Sequence, residues 1–155
     1  MDVRFINAFI EGTLNVTKTM AMVSPVPGNP YLKKDALANG DVSGIIGLTG
    51  DVTGSMALSF SEKSILKIVS NMLGEEISEI NKDIKDAVGE ITNMISGVAR
   101  KELETTGLTV LAAIPTVVSG KDHSITHVLG GPSIIIPFAM EEGSFVVDIC
   151  ISGMK

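Results

Sequence analysis

The chain has 155 residues, 45% of them hydrophobic but only 4% aromatic, so a core of Ile, Val, Leu, Ala and Met can bury most of the unfolded surface as one domain over residues 1–155. The formal net charge of −6 repels phosphate backbones and anionic lipid, which argues against nucleic acid or membrane as a partner. With a single cysteine, Cys150, no basic-then-apolar leader and no apolar run of about eighteen residues, the chain is expected to work in the reducing cytoplasm.

In chain order, Phe5, Ile6, Phe9, Ile10, Leu14 and Val16, with Thr13 and Thr17 on the same stripe, predict an amphipathic helix from Val3 to about Met22. Ser24 to Lys34 carries Pro25, Pro27 and Pro30, which lack ladder donors, and reads as an irregular or edge segment. Val42 to Leu48 and Ser55 to Phe60 form a hairpin around Thr49–Gly54, with glycine where positive φ is needed. Ser61 begins a helix over Glu62 to Met72 that stops at Gly74. The longest helical pattern runs from Asn81 to Glu104 and ends near Gly107. Strands follow at Leu111–Val118, Ser133–Phe138 and Phe145–Ile151. Helix, strand and hairpin thus occur twice, and Gly44–Leu48 with Gly54–Phe60 parallels Ser133–Pro137 with Gly143–Ile149, which suggests a duplicated unit. The fold expected is α+β, with a central, mostly antiparallel sheet and a long surface helix.

On that long helix Asp86, Glu90, Asn93 and Gly97 fall within an arc of about 60°, opposite Ile84, Val88, Ile91, Ile95 and Val98. A carboxamide offers a donor and an acceptor and can orient a water without being consumed, a carboxylate can meet a cation, and a glycine leaves room for another backbone. The competing reading is an ordinary wet helix face, and spacing alone does not decide between them.

The run Asp86-x-x-x-Glu90-x-x-Asn93 resembles the signature helix of the CheC/CheX/FliY family of chemotaxis phosphatases. The likeness spans essentially the whole chain, through INAFIEGTLNVTKTM, GDVSGIIGLTGDVTGSMALSF, GEITNMISGVARKEL, IPTVVSGKDHSITH and GGPSIIIPFAMEEGSFVVDICIS, and is strongest toward the CheX branch. Pro115 stands about where the family pattern places a proline after the Asn. The resemblance implies a phosphatase acting on the aspartyl phosphate of a CheY-like response regulator. Glu90 would engage a regulator lysine and Asn93 would position the attacking water. Asp86 and Gly97 would contact the partner, although Asp86 also reads as a plain helix-surface charge. The implied Mg²⁺ is the regulator's, so the chain needs no cofactor or metal of its own, and a homodimer is expected. Setting Glu11 against Glu90 puts Leu14 where Asn93 stands, so one site is expected rather than two. The alternative is a non-catalytic module that docks on a regulator or a signalling complex through the same helix.

Other candidates are weaker. His123 and His127 have the spacing of helical zinc ligands, but no HExxH pattern surrounds them, and Gly120 and the Gly130–Gly131 pair oppose a helix. Asp122-His123-Ser124 holds the residue types of a hydrolase triad, but neighbours in sequence cannot converge in that geometry, so a polar turn is expected. The glycine-rich run from Gly40 to Gly54 lacks the Gly-Lys-Ser/Thr ending of a phosphate-binding loop.

Overall fold

The computed structural model describes residues 3–33, 40–121, 123–125, 127 and 133–152. Lys34, Asp122 and the Gly130–Gly131 pair, which figure in the sequence reading, lie outside the described residues. Helix α1 (Val3–Ala21) is followed by the two-residue strands β1 (Val26–Pro27) and β2 (Tyr31–Leu32), then by the hairpin β3 (Val42–Gly50) and β4 (Thr53–Phe60). After α2 (Glu62–Leu73) and α3 (Lys82–Thr105) come β5 (Val110–Ala112), β6 (Thr116–Ser119) and the hairpin β7 (Ile134–Met140) and β8 (Gly143–Ser152).

Local chemistry sets these boundaries. The Ser61 hydroxyl accepts from the Ser64 amide at the start of α2, and Gly74 ends that helix in the left-handed conformation at φ 68°. Asn81 caps α3 in the same way, its side-chain oxygen accepting from the Ile84 amide at 3.0 Å. In the first hairpin Gly50 takes the positive φ, at 103°, whereas Gly54 does not. A Cβ on Gly54 would overlap the Cys150 carbonyl oxygen of β8, so that glycine serves a close approach between strands.

The strands form one antiparallel sheet in the order β1-β7-β8-β4-β3-β5, with β2 also on β7 and β6 also on β3. Along β4, Met56, Leu58 and Phe60 enter the main hydrophobic core, while the alternate residues Ser55, Ala57 and Ser59 are buried on the other face. The aromatic centre of the core is Phe145, whose ring lies 5.1 Å from Phe60 and 5.0 Å from Phe138. Helix α3 packs on β3, β5 and β6, and α1 packs chiefly on α3. A Cβ on Gly44 of β3 would overlap the Thr92 hydroxyl of α3, so glycine there is what seats the long helix on the sheet.

The duplicated unit is visible in the topology. The buried positions Phe5, Phe9, Gly12, Thr13, Val16 and Thr17 of α1 correspond to Ile84, Val88, Ile91, Thr92, Ile95 and Ser96 of α3 at one constant offset. Thr13 and Thr92 even make the same bond, each donating to the carbonyl four residues back at 2.7 Å. The short edge strands are exchanged between the halves: β1 and β2 pair with the second hairpin, β5 and β6 with the first.

One expectation is corrected. Leu111–Val118 is not a continuous strand but two, β5 and β6, and both pair with β3. Leu48 stands opposite Ala112 and Ile45 opposite Thr116, so Ile46 and Gly47 face the longer stretch Ala113, Ile114 and Pro115. That extra residue is a β-bulge, placed where Pro115 has no amide hydrogen to give the ladder.

Candidate active site

The buried stripe of α3, through Ile84, Val88, Ile91, Thr92 and Ile95, turns Asp86, Glu90 and Asn93 to solvent and leaves Gly97 half-buried. Glu90 and Asn93 form one wall of an open depression of about 400 Å³, and the 112–115 segment forms the other. Pro115, some twenty residues away in sequence, is thereby beside Asn93. Neither the Glu90 carboxylate nor the Asn93 carboxamide has a hydrogen-bond or ion-pair partner among the described residues. Two polar side chains held on a rigid helix, their hydrogen-bonding capacity unspent, can be turned wholly toward an incoming group.

The other two residues of the helix face are placed differently. Asp86 does not line the depression; its carboxylate lies 3.4 Å from the Lys82 ammonium one turn back, an exposed pair of small energetic weight. Gly97 belongs to a neighbouring hollow of about 250 Å³ that it shares with Arg100 and Leu111. The Arg100 Nε donates to the buried Ser96 hydroxyl at 3.2 Å, and its guanidinium lies beside the notch left by Gly97.

On the far face of the sheet the structure assembles a polar cluster that the sequence reading missed. His127 Nε2 donates to Asp148 Oδ1 at 2.9 Å, the Ser55 hydroxyl meets His127 Nδ1, and the Lys33 ammonium donates to Asp148 Oδ2 at 2.8 Å and to the Ile125 carbonyl at 3.3 Å. Burial alone would raise the Asp148 carboxyl, but the hydrogen bonds from His127 and Lys33, with their charges, outweigh it and hold the group below its ordinary value. Ser55, His127 and Asp148 are the residue types of a hydrolase triad, yet the imidazole and carboxylate side chains are only 5% and 3% exposed, which bars a substrate. His123 bridges Ser43, at 2.7 Å, and the Gly120 carbonyl, at 2.6 Å. Each of the two histidine side chains is thus bonded to the sheet, His123 to Ser43 of β3 and His127 to Ser55 of β4 and Asp148 of β8. No sequence signal pointed to this, because its members come from strands and segments far apart in the chain.

Among the described residues no three His, Cys, Asp or Glu side chains gather as metal ligands, and no helix is long and apolar enough to cross a membrane.

The family model described as chemotaxis phosphatase CheX matches residues 42–139, which include α3 and the bulge. The CheY-P phosphatase CheX of Thermotoga maritima is 34% identical over 126 residues, 81% of each chain. A CheC-like superfamily protein from Shewanella sp. PV-4 superposes with a TM-score of 0.92 at 47% identity, covering 99% of this chain and 100% of the other. The chemotaxis protein CheX from Desulfovibrio desulfuricans superposes at 0.89 with 44% identity, covering 96% and 99%.

Proposed function

Since this chain belongs to the CheX family of chemotaxis phosphatases, we propose that it hydrolyses the aspartyl phosphate of a CheY-like response regulator at the Glu90–Asn93 face of α3. The observation that carries the reading is the pair itself: a carboxylate and a carboxamide, exposed, unpartnered among the described residues and facing one open depression. A water attacks the phosphorus in line, the bond from phosphorus to the aspartyl oxygen breaks, and inorganic phosphate leaves with a free regulator carboxylate behind. Asn93 accepts a hydrogen bond from that water through its carbonyl oxygen and holds it on the line of attack, so its contribution is one of position. Glu90 pairs with a cationic side chain of the regulator and sets the angle at which Asn93 enters. Mg²⁺, held by the regulator rather than by this chain, would supply charge neutralisation at the phosphoryl oxygens. Asp86 and Gly97 border the same contact, and the working form is a homodimer.

The test is release of inorganic phosphate from a panel of phosphorylated response regulators with Mg²⁺ present. Acceleration by the wild-type protein that falls by about 10²-fold or more in Asn93→Ala is expected, the magnitude of a lost positioning group. Equal rates for wild type and variant would remove Asn93 from the chemistry. Binding without acceleration for every regulator would mark a silent docking module instead. Light scattering on the same preparation checks the dimer, with the mass of two chains expected and that of one chain refuting it.

A further inference from the structure

Ile114 is 89% exposed, more than any other large apolar side chain described, and it sits at the middle of the bulge between β5 and β6. Bulges re-aim side chains, and this one turns an isoleucine outward on the wall facing Glu90 and Asn93. Leu111, 57% exposed on the adjacent edge strand, extends the apolar surface toward Arg100.

The internal repeat supplies a control within the same molecule. In the first half Pro27 stands opposite Phe138 and Tyr31 opposite Ile135, so Gly28, Asn29 and Pro30 face only Ile136 and Pro137. That is the same bulge. Its first amide makes the equivalent bond, Gly28 N to the Pro137 carbonyl at 2.8 Å, matching Ala113 N to the Gly47 carbonyl at 3.0 Å. Position by position, Asn29 then stands where Ile114 does, just as Leu14 stands where Asn93 does. The backbone device needs no isoleucine, and the exposed apolar knob occurs in the half that also carries Asn93.

We propose that Ile114 is a docking residue, an apolar anchor that inserts beside the regulator's phosphorylation site and tunes which regulator is accepted. The occupant follows from continuity: Ile114 and Asn93 border one depression, so a protein that delivers an acyl phosphate to Asn93 covers Ile114 as it does so. An anchor of this kind, desolvated near the centre of a contact, carries a large share of affinity while the polar pair carries the chemistry. The inference rests on the phosphatase reading above, and its test separates the two.

Steady-state dephosphorylation is compared for wild type, Ile114→Ser and Leu73→Ser, the last an exposed apolar residue on α2. Ile114→Ser is expected to raise KM roughly tenfold and to leave kcat within about twofold, with Leu73→Ser changing neither. Affinity for the beryllofluoride-loaded regulator, measured in an Asn93→Ala background, is expected to fall by the same factor when Ile114→Ser is added. An unchanged KM and affinity overturns the proposal even if the enzyme is active. Loss of kcat alone also overturns it, by showing that the bulge shapes the site rather than the contact. A change in mass by light scattering without a change in KM assigns Ile114 to a contact between copies of this chain and rejects docking. Failure of the wild-type protein to release phosphate from any regulator instead removes the phosphatase reading itself.

Discussion

Glu90 and Asn93 lie about one helical turn apart on a face whose neighbours, Asp86 and Lys82, already satisfy one another. On the proposed reading their unspent capacity divides between docking and chemistry, and the two are separable by measurement. Glu90→Ala is expected to weaken binding of a beryllofluoride-loaded regulator by about tenfold, the scale of a charge pair lost from a protein contact. Titration calorimetry showing unaltered affinity would take Glu90 out of the docking role. Asp148 is a residue of another kind, buried and fully engaged. Its folded pKa lies below the unfolded value of about 3.9. The stability it contributes is therefore complete above that value and is lost as pH falls through the folded pKa. Asp148→Asn leaves the Lys33 ammonium, 9% exposed, without its counter-charge, at a cost of about 3 kcal/mol. Urea unfolding near neutral pH reads that difference directly. The gap between wild type and variant should narrow below the folded pKa, and a constant gap would show that ionisation of Asp148 contributes nothing.

At the scale of elements, the site is a helix set against a bulge, and its width depends on how deeply α3 sits on β3. Gly44 controls that depth because a Cβ there meets the Thr92 hydroxyl, which is committed to the Val88 carbonyl at 2.7 Å. Gly44→Ala is expected to cost about 1–3 kcal/mol, as overpacking does, and to lower phosphate release further by lifting Asn93 away from the 112–115 wall. Denaturation and activity measured on the same sample check this. Wild-type stability in the variant would mean that the helix accommodates the methyl without moving. The bulge also explains why one long strand was expected in its place: Leu111, Val117 and Val118 carry a strand composition, and the added residue shows only when register against β3 is known.

The described residues form two copies of a helix, a bulged edge and a hairpin, closed by exchange of the edges, with α2 between the copies. Each half lends its two short strands to the other's hairpin, and α1 packs on α3, so neither half keeps a complete sheet alone. Unfolding is therefore expected as a single transition, with far-ultraviolet dichroism and exposure of Cys150 to a thiol reagent giving one midpoint. Two separated midpoints would show that the halves fold independently.

Helix limits, both hairpins and the Glu90–Asn93 face were legible in the sequence, because each depends on residues a few positions apart: a periodic stripe, Ser61 at a helix start, Gly74 at a C-terminus. The resemblance added the family. Only the tertiary structure decided which distant residues meet. It brought the 112–115 segment to Asn93, split the expected strand at Ile114, and joined Lys33, Ser55, His127 and Asp148 beneath the sheet. These contacts are set by strand register and sheet order, long-range quantities that a local pattern does not encode, since a shift of one residue in pairing leaves the pattern intact and moves every side chain to the opposite face.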